Sequence, residues 1–234
     1  MLNIKNLYKS YGTKDVLFDV NIDIEPGDIY GFIGKNGAGK TTTIKCVVGL
    51  NDFSRGEIFV DNKNIKEEPL AYKKVMAYIP DNPELYEFMR GMEYLNFISD
   101  IYDVEEDKRK ANITKYVDVF DLWKAIDDPI SSYSHGMKQK LAITAALVHE
   151  PKLLILDEPF VGLDPTATAY LKDEFKNMVA KGGAIFFSTH VLEVAQKLCN
   201  KIAIIKDGRI VVEGETEKIT GMSSLENIFL ELVK

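Results

Sequence analysis

Residues 34–41 read GKNGAGKT, an instance of GxxxxGK[ST], set directly between the apolar run Ile29 to Ile33 and a helical stretch, Thr42 to Val48. That placement is what a phosphate-cradling loop needs: a strand leads in, glycines turn the chain, and a helix N-terminus follows. Gly34, Gly37 and Gly39 allow backbone angles and close approaches that side chains would block. Successive N–H groups, with Asn36 and Ala38 among them, can then turn inward on an anion. The helix start adds its partial positive charge. Lys40 supplies a cation for β- and γ-phosphates, the Thr41 hydroxyl is placed to ligate Mg²⁺, and Thr42 continues the first turn.

The rest of the chain repeats this layout. IYGFIG, VMAYIP, KLLILDEP and AIFFSTH are short continuous apolar runs, each ending in a polar or glycine loop. Such runs suit parallel strands buried on both faces, with ligands beyond their carboxyl ends. LLILDEP delivers two adjacent carboxylates to a strand end, Asp157 as a magnesium ligand and Glu158 as general base or water-orienting group. AIFFSTH delivers His190 to the same edge, where its imidazole can donate to a γ-phosphate or position water. His149 lacks that support and reads as a helix C-terminal residue, where the dipole favours a cation.

The fold class expected is α/β: a P-loop NTPase core with a mostly parallel sheet. Ahead of the core, Leu2 to Leu7 and Val16 to Ile24 alternate at period two and predict antiparallel strands joined at Tyr11, Gly12 and Thr13. From about residue 81 to 140 helical periodicity replaces strands and predicts an inserted helical subdomain. One face carries Tyr94, Leu95, Phe97, Ile98 and Ile101, another Ile113, Tyr116, Val117 and Phe120, with Trp123 expected in the core. Beyond His190 a short helix, a hairpin turning at Asp207 and Gly208, and a terminal helix within about residues 215–234 are expected. All 234 residues then form one domain.

Composition narrows the partners. A formal charge of −7 argues against non-specific nucleic-acid binding. The longest apolar runs fall short of the ~18 residues that cross a bilayer, so direct insertion is not expected and a membrane role must come through a partner. The start, MLNIKNLYKS, reads as a strand rather than a signal peptide. Cys46 and Cys199 match no metal spacing and read as two reduced thiols in a cytosolic protein.

YSHGMKQK at 133–140 precedes an apolar helix, with Ser134 a natural N-cap and Gly136 leaving the first turn open to a close neighbour. The order GKNGAGKT, YSHGMKQ, LLILDEP, GLD at 162–164, STH resembles that of ABC transporter nucleotide-binding subunits and spans nearly the whole chain. The resemblance implies an ATPase using ATP and Mg²⁺. It implies that Ser134 and Gly136 face the γ-phosphate held by a second nucleotide-binding subunit, identical or related, with Asp164 crossing the interface. It places Tyr11 against adenine. It implies an integral-membrane permease as partner and a peripheral location on the cytoplasmic face of the membrane. Two departures stand out: Asp81 replaces the usual glutamine after the strand Val75 to Ile79, and in the LSGGQ-type signature His135 replaces glycine and Met137 glutamine. Asp81 can bind Mg²⁺ or accept from water but cannot donate as glutamine does. YSHGMKQ and PDNPELY are similar to bacterial drug and antibiotic export ATPases, so export of a drug, peptide or lipid-like substrate is expected. The alternatives are an importer's ATPase and a non-transport ABC ATPase.

Overall fold

A computed structural model of the chain describes residues 1–221 and 223–232. Met222, Val233 and Lys234, within the expected terminal segment, lie outside the described residues. Strands β1 (Leu2–Tyr11) and β2 (Lys14–Ile24) pair antiparallel as the alternation predicts. β3 (Ile29–Ile33) leads into α1 (Lys40–Val47). Then come β4 (Arg55–Val60), β5 (Lys63–Asn64), α2 (Pro69–Lys74) and β6 (Met76–Ile79). β4 pairs with β1 and β5, so the N-terminal hairpin is half of a four-stranded sheet in the order β2-β1-β4-β5.

Helices follow: α3 (Gly91–Ile101), α4 (Glu106–Val119), a 3₁₀ turn at Ile130–Ser132 and α5 (His135–Val148). Strand and helix then alternate through β7 (Leu153–Asp157), α6 (Pro165–Ala180), β8 (Ala184–Thr189) and α7 (Leu192–Leu198). The hairpin β9 (Lys201–Lys206) and β10 (Arg209–Glu215), then α8 (Thr216–Thr220) and α9 (Leu225–Leu232), complete the order. The second sheet runs β10-β9-β3-β8-β7-β6, with every pair parallel except β9 with β10.

Period-two geometry explains why the central strands of this sheet are mostly apolar. On β3, β7, β8 and β9 one set of residues, Ile33, Leu156, Phe187 and Ile204 among them, enters the core shared with the helices. The intervening set, with Phe32, Ile155, Phe186 and Ile205, enters the core shared with the four-stranded sheet. Each strand is covered on both faces, which leaves only its carboxyl end to reach solvent and a ligand.

In the helical segment Leu95, Ile113, Tyr116, Val117 and Phe120 are buried, as expected. Phe97 and Ile101 are not; they point out of α3. Trp123 is also displaced from its expected place: Leu122 occupies the core at 1% exposure, and the next residue in the turn, Trp123, faces outward at 44%. His149 caps α5 as expected but is no cation. Burial pushes its imidazole down to about 4, and its ring stacks on Tyr102 with centroids 3.6 Å apart. Desolvation here outweighs the helix dipole. Both cysteines are free and buried.

Candidate nucleotide site

Gly37 and Gly39 hold φ of +82° and +115°, backbone that L side chains rarely adopt. Gly34 is required for a different reason: a Cβ there would stand 2.7 Å from the carbonyl of Ile205 on β9. The loop therefore closes tightly over the sheet edge, and the Ala38 carbonyl accepts from Gly208 N at 2.9 Å. Gly39 caps α1 without a side-chain acceptor, so the first N–H groups of the helix have no side-chain cap.

The Lys40 side chain folds back along the loop, donating to the Gly34 carbonyl at 2.7 Å and lying 3.9 Å from Glu158 Oε1. Burial lowers its pKa, opposed by the charges of Glu158 and Asp157. Asp157, at the end of β7, accepts a hydrogen bond from the buried Ser188 hydroxyl on β8. Glu158 adopts φ +51° and its N–H donates to Ser188 Oγ at 3.2 Å, which turns its carboxylate toward the loop. His190 Nδ1 lies 3.0 Å from Glu158 Oε1. Asp81 completes the rim. Partial burial raises its pKa first, followed by the charges of Asp157 and Glu158, with His135 and His190 opposing.

These side chains enclose one pocket of about 370 Å³, lined by Lys35, Asn36, Gly37, Gly39, Lys40, Thr41, Thr42, Asp81, Asp157 and Glu158. Gly34 and Ala38 are buried in the same loop and do not line the pocket, and His190 joins through Glu158. Lys35 and Ser188 were not singled out from sequence. Lys35 occupies a free position of the motif, while Ser188 stands inside the quoted STH and differs in no local signal from any strand-end serine.

Tyr11, Ser134 and Gly136 are not among the lining residues. Tyr11 ends β1, 49% exposed, its hydroxyl accepting from Asn51 at 2.7 Å and its ring under the Lys9 ammonium. Ser134 caps α5 as expected, accepting from Met137 N at 3.3 Å. The close neighbour of Gly136 within the chain is the carbonyl of Gly162, 2.9 Å from where a Cβ would stand.

The donor set fits a magnesium-bound polyphosphate. An ammonium and an uncapped helix start suit the anion, but three carboxylates on the same pocket would repel it unless a divalent cation lay between them. Among the described residues no three His, Cys, Asp or Glu side chains are grouped to hold a metal by themselves. The substrate's own oxygens would have to complete its coordination.

A strand-loop-helix nucleotide site at the edge of a mostly parallel sheet defines a P-loop ATPase, and residues 17–161 match the ABC transporter family. The chain belongs to that family and is an ATPase subunit of an ABC transporter. It is 34% identical to the ABC-type transporter ATP-binding protein EcsA of Bacillus subtilis, covering 100% of this chain and 97% of that one. It is also 34% identical to the lantibiotic transport ATP-binding protein SrtF of Streptococcus pyogenes, covering 98% and 96%. A solved structure of the ATP-binding subunit of an ABC transporter superposes with TM-score 0.96 at 35% identity, covering 100% of both chains.

Proposed function

We propose that the chain binds Mg²⁺-ATP in the pocket of Lys40, Asp157 and Glu158, hydrolyses it there, and drives a separate membrane permease that exports a drug, peptide or lipid-like molecule. The observation that carries this reading is the convergence of Lys40, Thr41, Asp157 and Glu158 on one pocket, with His190 held on Glu158. The loop N–H groups and Lys40 bind the phosphates, and release of Lys40 from the Gly34 carbonyl frees its ammonium for them. Glu158 accepts the proton of the attacking water, and His190 orients that carboxylate. Magnesium, held by Thr41 and Asp157 with Asp81 at the rim, would neutralise phosphate charge. Tyr11 would stack on adenine through its exposed ring.

Two subunits, alike or related, would face each other so that Ser134 and Gly136 of one meet the γ-phosphate held by the other. The permease would be a separate chain, with this subunit on the cytoplasmic face of the membrane; among the described residues no helix is long and apolar enough to cross a membrane. The loop at 81–90 offers the permease a surface: Tyr86 and Phe88 are 50% and 85% exposed, and Phe97 packs edge-on to Tyr86 at 5.7 Å. Contiguous exposed aromatics of this kind are a docking signature. The lantibiotic-transport relative favours export over import.

The test is Glu158→Gln. It is expected to retain ATP binding and lose turnover by at least about a hundredfold, the size of a removed general base. Turnover at the wild-type rate would overturn the assignment of Glu158.

A further inference from the structure

The segment from Glu158 to Asp164 joins β7 to α6 and is fastened at both ends. The Val161 N–H donates to the Glu158 carbonyl at 3.2 Å, and Asp164 caps α6 by accepting from Ala167 N at 2.9 Å. Between those ends the loop rests on the first turns of α5. A Cβ on Gly162 would lie 2.9 Å from Cδ2 and 3.1 Å from Nε2 of His135, so the imidazole is seated directly on the loop backbone. Gly162 holds φ +80°, a backbone angle that any L side chain placed there would strain. On the next turn Lys140 Nζ lies 2.6 Å from Asp164 Oδ2. Neither of the two contacts from α5 belongs to the pocket itself, yet both act on the short stretch that begins with Glu158.

The same helix turns grip a second segment. Lys138 pairs with Glu87, inside the exposed aromatic loop. The carbonyls of Met89 and Glu87 accept from Ile130 N at 2.9 Å and Ser131 N at 3.1 Å, just ahead of α5. The first two turns of α5 thus lie between the aromatic loop and the loop that carries Glu158.

We propose that His135 and Lys140 are positioning residues for hydrolysis: from the start of α5 they set the place of loop 158–164, and through it the place of Glu158. The proposal rests on Glu158 being the hydrolytic carboxylate. His135 stands where the common signature has glycine, so this chain would use an imidazole contact that a glycine cannot make. Loss of either contact leaves Lys40 and the glycine loop untouched, so nucleotide affinity is retained while the chemical step slows. Movement of the aromatic loop would reach Glu158 through Lys138 and the same helix turns.

The experiment measures steady-state ATP hydrolysis and binding of a fluorescent ATP analogue for the full chain carrying His135→Gly, His135→Gln, Lys140→Met, Gly162→Ala or the pair His135→Gly/Gly162→Ala, with Glu158→Gln as reference. His135→Gly and Lys140→Met should lower kcat by about three- to tenfold while KM and analogue affinity stay within about twofold, the pattern of an interaction felt only in the chemical step. His135→Gln, with a planar side chain long enough to reach Gly162, should recover most of the rate. Gly162→Ala should cost more alone than in the His135→Gly background, where the ring it collides with is gone. Lys140 is partly exposed, so its arm reads out even if a change at 135 impairs folding. Unchanged kcat in both His135→Gly and Lys140→Met, or a loss confined to KM and thermal midpoint, would overturn the proposal while leaving Glu158 intact as base. Wild-type turnover by Glu158→Gln would instead remove the reading on which it rests.

Discussion

Ser188 lies fully buried on β8, and its one hydroxyl serves both acids of the pocket, donating to Asp157 and accepting from the Glu158 N–H. A hydrogen bond to a charged group contributes about 1.5–3 kcal/mol, and Asp157 is itself only 3% exposed, so water cannot replace the lost donor. Ser188→Ala should therefore lower kcat by about tenfold or more, with Asp157 free to turn away. Steady-state kinetics beside a melting curve would check this, and a rate within about twofold of wild type would show that Ser188 does not orient the pair. Lys40→Ala removes the pocket's buried ammonium and should weaken a fluorescent ATP analogue by at least about tenfold, the worth of one charge-assisted contact. Lys40, Asp157 and Glu158 were legible in the sequence because each stands at a fixed offset from a glycine turn or a strand end, where residue type alone sets the chemistry. Ser188 was not, because its partners are on a neighbouring strand and only the parallel register of β7 with β8 brings them together.

α5 does two jobs along its length. Its start holds the loops around the site, and its last residues close the helical core, where His149 lies flat on Tyr102. Burial holds the folded imidazole down at about 4, below its ordinary 6.5. The folded protein thus refuses a proton that the unfolded chain accepts, so the associated stability is present above about pH 6.5 and is lost as pH falls toward about 4. With part of the ring still in reach of water, the loss between pH 7 and 5 should be about 1–2 kcal/mol. Urea denaturation of wild type and His149→Phe at both pH values checks the sign: the variant should lose less on acidification, and equal losses would place the titrating group elsewhere. The strands that carry the pocket were readable as elements because continuous apolar runs of four to six residues leave few alternatives. β4 and β5 escaped because Arg55, Glu57 and Lys63 break their apolar pattern, and only the pairing of β4 with β1 and of β5 with β4 makes them strands. The outward turn of Phe97, Ile101 and Trp123 was equally hidden, since periodicity tells which residues share a face but not whether anything covers it.

At the scale of the whole molecule, the proposed two-subunit site uses ATP to join the phosphate loop of one subunit to the serine-capped helix of another, identical or related. Each copy carries −7, so two repel until something between them favours contact. Charge-assisted hydrogen bonds to a γ-phosphate contribute about 1.5–3 kcal/mol each, and a few at each of two sites give on the order of 10 kcal/mol. Association costs a comparable ~4–15 kcal/mol, so closure should be conditional on the terminal phosphate and its metal rather than permanent. Glu158→Gln should therefore sediment as a dimer with Mg²⁺-ATP and as a monomer with ADP or after chelation of the metal by EDTA. Gly136→Asp, placing a carboxylate where the partner's phosphate would sit, should bind ATP and remain monomeric. Because a Cβ at 136 also meets the Gly162 carbonyl at 2.9 Å, that result counts only if analogue affinity and melting temperature show the variant folded. A folded, nucleotide-bound Gly136→Asp that still dimerises in ATP would mean that the α5 helix start does not face the neighbouring nucleotide, and the two-subunit site would have to be abandoned.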